Sequence, residues 1–595
     1  MLIVSRFVVF GLDLFNTAFR RGRFDFRDVD IMVRLEPMVP VIGNTLYSDN
    51  ALVISSGMKA AAMVVKAPLK SIVKSLPVLI RQIIDIVKQT GSTEADVVQI
   101  AFKSLATILR DCETAQVKEK DLIYLLELAS PDLEETSRQG PAFAMLRAII
   151  SRKFVVPEIY DVMDKVSEIM VTDQSGQVQE LCRSVLLQFL LDYPQGKGRL
   201  RNCMTFMAKN LSYVHESGRR SVMELLSAVL AKFEVDLVRE YADLLFVALV
   251  MVVANDDSAK CREMAAELIK NLFTRLDDDH RKIIMSHLHS WASQWSQRQL
   301  TRVSMQVYGI VIDSMKVETS LYVSTILVDV CAALKQSADA FDTFHIDTMA
   351  TEDMEFDMEW QIPYHALTVI SKVLHVLPDL TVQTERISWD RIVSHLLFPH
   401  TWVRSASCRL LGLLFNAVAI SAPSRDLPST SPFSHEGMRE IGNTLCLQLK
   451  SQHLDAPLSL QVVKNLLYIG KCFYAMPLPS NVEVMTGETL VDDDDNETPR
   501  DLDNLGQNPL PWLFSKLSYQ AKSAHIARRN RSASGVSFPS YLYTFLLLTQ
   551  RSGQLVPPNS LSSEMVCCHG IIHGHGSITD VSCTHSHPSV QNNRR

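Results

Sequence analysis

Val178-Gln179-Glu180-Leu181-Cys182-Arg183-Ser184-Val185-Leu186-Leu187-Gln188-Phe189-Leu190 sets the architecture of this chain. Val178, Leu181, Cys182, Val185, Leu186, Phe189 and Leu190 follow one another at steps of three and four. On a helix they share one face, three to four turns long. The stripe recurs as Val222-Leu225-Leu226-Val229-Leu230-Phe233 and as Cys261-Met264-Ala265-Leu268-Ile269-Leu272-Phe273. Working outward, it starts at ten places: Val53, Val97, Ala142, Val178, Val222, Cys261, Leu300, Ile362, Val403 and Leu458. Successive starts lie 36 to 62 residues apart. One such helix cannot hide its stripe alone, so its neighbours must stack on it. The pattern therefore predicts an all-α solenoid of about ten helical hairpins, an architecture that binds and holds.

A second apolar segment and a polar turn precede each stripe. Partner segments are read at 122–128, 159–170, 203–211, 237–253 and 283–291. The turns Gly91-Ser92-Thr93, Asp173-Gln174-Ser175-Gly176, His215-Glu216-Ser217-Gly218 and Asn255-Asp256-Asp257-Ser258 are rich in side chains that cap helix N-termini. Cys261-Arg262 and Trp402-Val403-Arg404 show the apolar-then-arginine step of HEAT repeats, so the solenoid is expected to be HEAT/armadillo-like.

Composition agrees. The 595 residues are 47% hydrophobic, with only 22 Gly and 24 Pro, which suits long helices joined by short turns. No stretch sustains the period-two alternation of sheet proteins. A net charge of −7 excludes a protein that coats polyanions over its whole surface, and leaves room for a local basic strip. Most of the 11 cysteines fall inside helix stripes, as at Cys182, Cys261 and Cys408, where they act as small hydrophobes. A disulfide framework is not expected. The longest apolar run, 244–254, has eleven residues, too few to cross a bilayer, and reads as a buried helix. The opening MLIVSRFVVFGLDLF carries Arg6 and lacks a small-residue cleavage site, so it reads as the exposed front of a helix. Beginning in mid-pattern, it suggests that further repeats precede it.

The expected organisation is HEAT-like repeats over 1–338, an acidic insertion at 339–359, further helical repeats over 360–478, and an acidic disordered linker at 479–509. A short helical segment at 510–527 and a disordered, aberrant or alternative tail at 528–595 complete it. Asp492-Asp493-Asp494-Asp495 reads as a solvated tether. Arg528-Arg529-Asn530-Arg531-Ser532 is either a flexible basic stub or a kinase target or nuclear signal.

No catalytic or metal site is expected. The chain contains no G-x-x-x-x-G-K-[ST], H-E-x-x-H or G-x-S-x-G sequence. Cys567, Cys568, His569, His573, His575, Cys583, His585 and His587 have metal-ligand chemistry but lack paired zinc spacing and a core around them. No cofactor is implied. Basic residues gather near helix ends: Arg152, Lys153, Lys197, Arg199, Arg201, Arg219 and Arg220. Aligned in a stack they form a strip that neutralises RNA phosphates; otherwise they are solvated helix ends. No aromatic platform for reading bases accompanies them in the sequence.

Ser137-Arg138-Gln139-Gly140-Pro141-Ala142-Phe143, continuing through Leu146-Arg147-Ala148-Ile149-Ile150-Ser151-Arg152-Lys153-Phe154-Val155-Val156-Pro157-Glu158-Ile159, resembles the "down-regulated in metastasis" proteins. Leu191-Asp192-Tyr193-Pro194 with Gly196, His215-Glu216-Ser217-Gly218-Arg219 and Asn255-Asp256-Asp257-Ser258 match in the same order. So do Gln461-Val462-Val463-Lys464-Asn465-Leu466-Leu467 and Pro511-Trp512-Leu513-Phe514-Ser515-Lys516-Leu517, extending the resemblance from about Phe10 to Lys522. These are very large HEAT-repeat scaffolds of the small-subunit processome. The resemblance implies the C-terminal part of a non-catalytic nucleolar protein working with the U3 small nucleolar RNP in early pre-18S rRNA processing and 40S assembly. Its expected partners are processome assembly proteins, pre-rRNA and the small nucleolar RNP, with no membrane and no small-molecule substrate. The rival reading is a karyopherin-like transport or trafficking adaptor that binds peptides or proteins.

Overall fold

The computed structural model describes residues 2–347, 359–382, 386–421, 435–448 and 456–475 together with Leu513. Among these the architecture is all-α, a HEAT/armadillo-like series of helical hairpins, with no strand. Helices α1 (Leu2–Arg20), α2 (Val29–Leu35) and α3 (Met38–Thr45) lead into α4 (Ala51–Val64). The next hairpins are α5 (Lys70–Thr90) with α6 (Asp96–Asp111), and α7 (Glu119–Ala129) with α8 (Gln139–Ser151). They continue as α9 (Glu158–Thr172) with α10 (Gly176–Asp192), and α11 (Lys197–Asn210) with α12 (Glu216–Lys232). Then come α13 (Val235–Glu240) and α14 (Ala242–Asn255) with α15 (Ala259–Arg275), and α16 (Asp278–Ala292) with α17 (Arg298–Met315). The remaining helices are α18 (Val323–Asp347), α19 (Gln361–Val376), α20 (Trp389–Ser394), α21 (Thr401–Ser421), α22 (His435–Gln448) and α23 (Ala456–Ala475). By their contacts the residues divide into two compact units, Met1–Leu410 and Leu411–Arg595.

Every stripe read from the sequence lies on the second helix of a hairpin. Within the first unit these helices form a continuous row: α4 packs on α6, α6 on α8, α8 on α10, α10 on α12, α12 on α15, α15 on α17 and α17 on α19. The seam is dry; Cys182, Val185 and Ile269 are fully buried and Leu186 is 2% exposed. Burying each large aliphatic side chain contributes about 1.5–3 kcal/mol, which neighbouring helices supply and an isolated one cannot. Two starts shift by one residue. Val97 and Leu300 are half-buried, and the seam begins at Val98 and Thr301.

Several expectations change in detail. The 237–253 segment is two helices, because Tyr241 takes φ −107° and ψ 6° between α13 and α14. The apolar run in α14 is not wholly buried. Leu244, Val247 and Met251, spaced along one face, are 37%, 43% and 56% exposed. In the N-terminal helix Val4, Phe7, Phe10 and Leu14 face outward while Leu12 and Asn16 point inward. No single helix among the described residues is long and apolar enough to cross a membrane. Cys182 and Cys203 behave as hydrophobes: burial pushes their thiols up to about 12. The four-aspartate run, the Arg528–Arg531 stub and the Cys/His-rich tail lie outside the described residues.

The polar turns hold the stripe helices differently from expectation. Ser258 does cap α15, accepting from the Cys261 N–H, but α6, α10 and α12 have no side-chain cap. A long donor near the start of the stripe helix instead reaches back to a turn carbonyl six residues earlier. Gln99 donates to the Thr93 carbonyl, Gln139 to Leu133, Gln179 to Asp173, Arg219 to Tyr213, Arg262 to Asp256 and Arg404 to Phe398. Those carbonyls end the preceding helix or turn, where backbone acceptors otherwise go unpaired. The apolar-then-arginine step is thus a turn lock.

Candidate nucleic-acid interface

Hairpin geometry gives the first unit two edges. One carries the turns inside hairpins, and the other carries the turns between hairpins. The two are separated by the length of a stripe helix, about 25 Å for the 17 residues of α12. Hydrogen bonds between repeats identify each edge. Inside-hairpin turns touch one another where Ser217 donates to Gln174 at 2.8 Å and Arg219 reaches Asp256. Between-hairpin turns touch where Arg152 donates to the Glu113 and Ala115 carbonyls and the Tyr193 hydroxyl donates to the Phe154 carbonyl at 2.8 Å.

The seven basic residues read from the sequence fall on both edges and do not form one strip. Arg152 and Lys153 end α8, whereas Lys197, Arg199 and Arg201 lie at the start of α11; all five are at the between-hairpin edge. Arg219 and Arg220, at the start of α12, lie on the inside-hairpin edge. Alternation of chain direction is the cause: the end of one stripe helix and the start of the next are opposite ends of the stack.

Their chemical states also differ. Arg219 is 13% exposed and grips Asp256, itself 4% exposed, through two bonds of 2.7 and 2.8 Å. The Asp256 carboxylate raises the Arg219 pKa, and the remaining guanidinium donor serves the Tyr213 and Val214 carbonyls. This group is a structural cross-tie. Arg220 lies 3.9 Å from Glu224. Arg152 gives its donors to carbonyls, which satisfies geometry without cancelling charge. Lys153 is exposed at φ 53°, a left-handed conformation that turns the chain out of α8. Arg199 and Arg201 are exposed, and neither forms a salt bridge among the described residues.

An aromatic group accompanies the basic residues after all. The Arg199 guanidinium lies 3.7 Å from the centre of the Tyr160 ring. Tyr160 in turn meets Phe189 at 5.8 Å and Tyr193 at 5.7 Å. Phe189 and Tyr193 are buried, so the cluster supports Arg199 and offers no open platform for bases. The sequence hides it because Tyr160 lies in α9 whereas Phe189 and Tyr193 lie at the end of α10. Among the described residues no group of His, Cys, Asp or Glu has the arrangement of a metal site.

No protein-family profile matches the chain. Two curated proteins do. U3 small nucleolar RNA-associated protein 20 of Schizosaccharomyces pombe is 33% identical over 439 residues, covering 73% of this chain and 17% of that protein. U3 small nucleolar RNA-associated protein 20 of Saccharomyces cerevisiae is 31% identical over 496 residues, covering 82% of this chain and 19% of that protein. The matched region spans less than a fifth of either relative. Among solved structures, Kap121p bound to Pho4p aligns at a TM-score of 0.39 and 13% identity, covering 87% of this chain and 54% of that one. Importin beta aligns at 0.33 and 11% identity, covering 87% and 57%. Scores this low carry no functional argument.

Proposed function

The chain is homologous to a stretch of the U3 small nucleolar RNA-associated protein 20 family, and from that premise we propose that it is a non-catalytic scaffold of the small-subunit processome. In this reading it acts in the nucleolus, supporting early pre-18S rRNA processing and 40S subunit assembly through extended contacts with assembly proteins and RNA. The single observation that carries the reading is the continuous match to both yeast proteins along most of the chain. Stacked hairpins suit the role, because every added repeat lengthens a surface and none creates an enclosed reaction chamber. The work requires no cofactor, membrane or small-molecule substrate.

RNA contact is assigned to the between-hairpin edge. Lys153, Arg199 and Arg201 present cations to solvent there, and Arg152 adds a charge that forms no salt bridge among the described residues. Arg219 and Arg220 leave the set, since Asp256 and Glu224 already face them. Such contacts are electrostatic and independent of base sequence. Ultraviolet crosslinking of the tagged full chain in growing cells tests the reading. U3 RNA and pre-18S RNA should be recovered well above a tag-only control, with crosslinked peptides drawn from residues 152–201. Recovery at the control level would overturn it.

A further inference from the structure

Along the row of first helices, α7 packs on α9, α11 on α14, α14 on α16 and α16 on α18, whereas α9 and α11 approach each other less closely. The space between them is a groove of about 790 Å³. Asp161, Asp164 and Glu168 line it along α9, at steps of three and four that place all three carboxylates on one helix face. Phe206 and Tyr213 face them, and Ile169 with Val171 gives an apolar floor. Glu134 and Asp173 add negative charge to the lining. The one cation in the lining, Lys165, is already tied to Glu134 at 2.9 Å and to the Ser130 carbonyl at 3.1 Å. Asp161, Asp164 and Glu168 form no salt bridge among the described residues. Desolvation and the neighbouring Asp161 and Glu168 push the Asp164 carboxyl above its ordinary range, while Arg199 pulls it back.

A row of mutually repelling carboxylates over an apolar floor repels phosphate and suits the opposite partner. Asp161 to Glu168 spans about 10 Å of helix rise. An extended peptide places same-face side chains about 7 Å apart, so two of its cations lie along that row while the alternate apolar side chains reach the floor. We propose that the α9–α11 groove docks an extended segment of a partner protein in which arginine or lysine alternates with apolar residues. This stands on the groove itself and does not depend on RNA binding at the between-hairpin edge.

The test uses the full chain and a fluorescein-labelled peptide of alternating arginine and leucine, read by anisotropy. Saturable binding is expected, and Asp161→Asn/Asp164→Asn/Glu168→Gln should weaken it about tenfold or more. All three side chains are exposed, so the fold should persist with an unchanged melting temperature. Asp164→Asn alone should give a smaller loss in the same direction. Failure of the wild-type chain to saturate, or a triple variant within about twofold of wild type, would overturn the proposal. So would tighter peptide binding by Arg528→Ala/Arg529→Ala/Arg531→Ala, which would make the chain's own basic segment the occupant. A single-stranded RNA probe should bind the triple variant at least as well as wild type; weaker RNA binding by that variant would assign the groove to RNA and sink the peptide reading.

Discussion

The two edges of the first unit are built from the same residue types, and over the repeats from α7 to α12 they end in different electrostatic states. At the starts of α8 and α12, on the inside-hairpin edge, arginine meets aspartate. Arg219 grips Asp256, and Arg138 reaches Asp132, which is 1% exposed and also accepts from Thr93 and Gln99. These two cations are cancelled where they stand and tie neighbouring repeats together, whereas Arg262 on the same edge donates to the Asp256 and Asp257 carbonyls. At the between-hairpin edge Arg152 and Arg275 meet carbonyl oxygen, while Arg239 and Arg281 on the same edge pair with Asp277 and Glu318. Arg152 caps the Glu113 and Ala115 carbonyls, and Arg275 caps Leu230 and Phe233. A carbonyl satisfies a donor without neutralising its charge. Hydrogen-bond bookkeeping thus looks alike at Arg152 and Arg219, yet only Arg152 keeps its positive charge for a partner.

Asp256→Ala breaks this comparison most severely. It leaves the Arg219 guanidinium in a nearly closed site without its anion and strips the acceptor from the Ser258 N–H. Removing one partner of a buried pair costs about 3–5 kcal/mol. Urea unfolding should show that loss, and a cost below about 1 kcal/mol would place Asp256 among ordinary surface carboxylates. Acid attacks the same side of the stack at His365, near the start of α19. Burial pushes its pKa down from 6.5 to about 4, with Arg302 and Lys372 adding to the effect. Between those values the unfolded chain binds the proton and the folded chain does not. His365 therefore contributes its full share of stability above pH 6.5 and loses it as the pH falls toward 4, by up to about 3 kcal/mol. His365→Gln should flatten that part of the stability–pH curve, and an unchanged slope would reject the assignment.

A smaller steric effect is expected at Gly218, where α12 starts against the end of α9. A Cβ there would overlap the Val171 carbonyl oxygen and lie 2.6 Å from the Tyr213 ring. Gly218→Ala should cost about 1–3 kcal/mol by forcing the two helices apart. Thermal unfolding coincident with wild type would mean that the turn yields freely.

What the sequence disclosed follows from the range of the interactions involved. The seam was legible because its period is local: Val185, Leu186 and Phe189 can be placed on one face from spacing alone. Even the one-residue shifts at Val97 and Leu300 leave the hairpin count intact. The edges were not legible, because membership depends on whether a turn lies inside or between hairpins. Arg199 and Arg219 are twenty residues apart in the chain, yet an entire helix separates their positions in space. Arg219 looked free because its partner is 37 residues away. Tyr160, beneath Arg199, was missed for the same reason, and so was the acidic groove, whose lining comes from α9, α11 and the turns that carry Glu134, Asp173 and Tyr213.

The finest discrimination between the edges comes from neutralising each in turn. Arg199→Gln/Arg201→Gln removes two exposed charges that no salt bridge uses among the described residues. Its stability cost should come mainly from the Arg199–Tyr160 contact, with a small addition from the attraction between Arg199 and Asp164, about 0.5–1 kcal/mol in all. Binding to single-stranded RNA should weaken, and the dependence of log affinity on log salt should become shallower by about 0.7 per lost phosphate contact, near 1.4 in all. Arg219→Gln should do the reverse, destabilising the fold while leaving the salt slope of the folded protein unchanged. Filter binding across a salt series, paired with urea unfolding of both variants, measures these quantities together. If Arg219→Gln flattens the slope and Arg199→Gln/Arg201→Gln does not, the charge available to RNA lies at the inside-hairpin edge, and the distinction between cancelled and uncancelled arginines is wrong. The physical basis of the expected result is that a polyanion gains little from a guanidinium already held by a carboxylate, since it must first displace that anion from a nearly dry site.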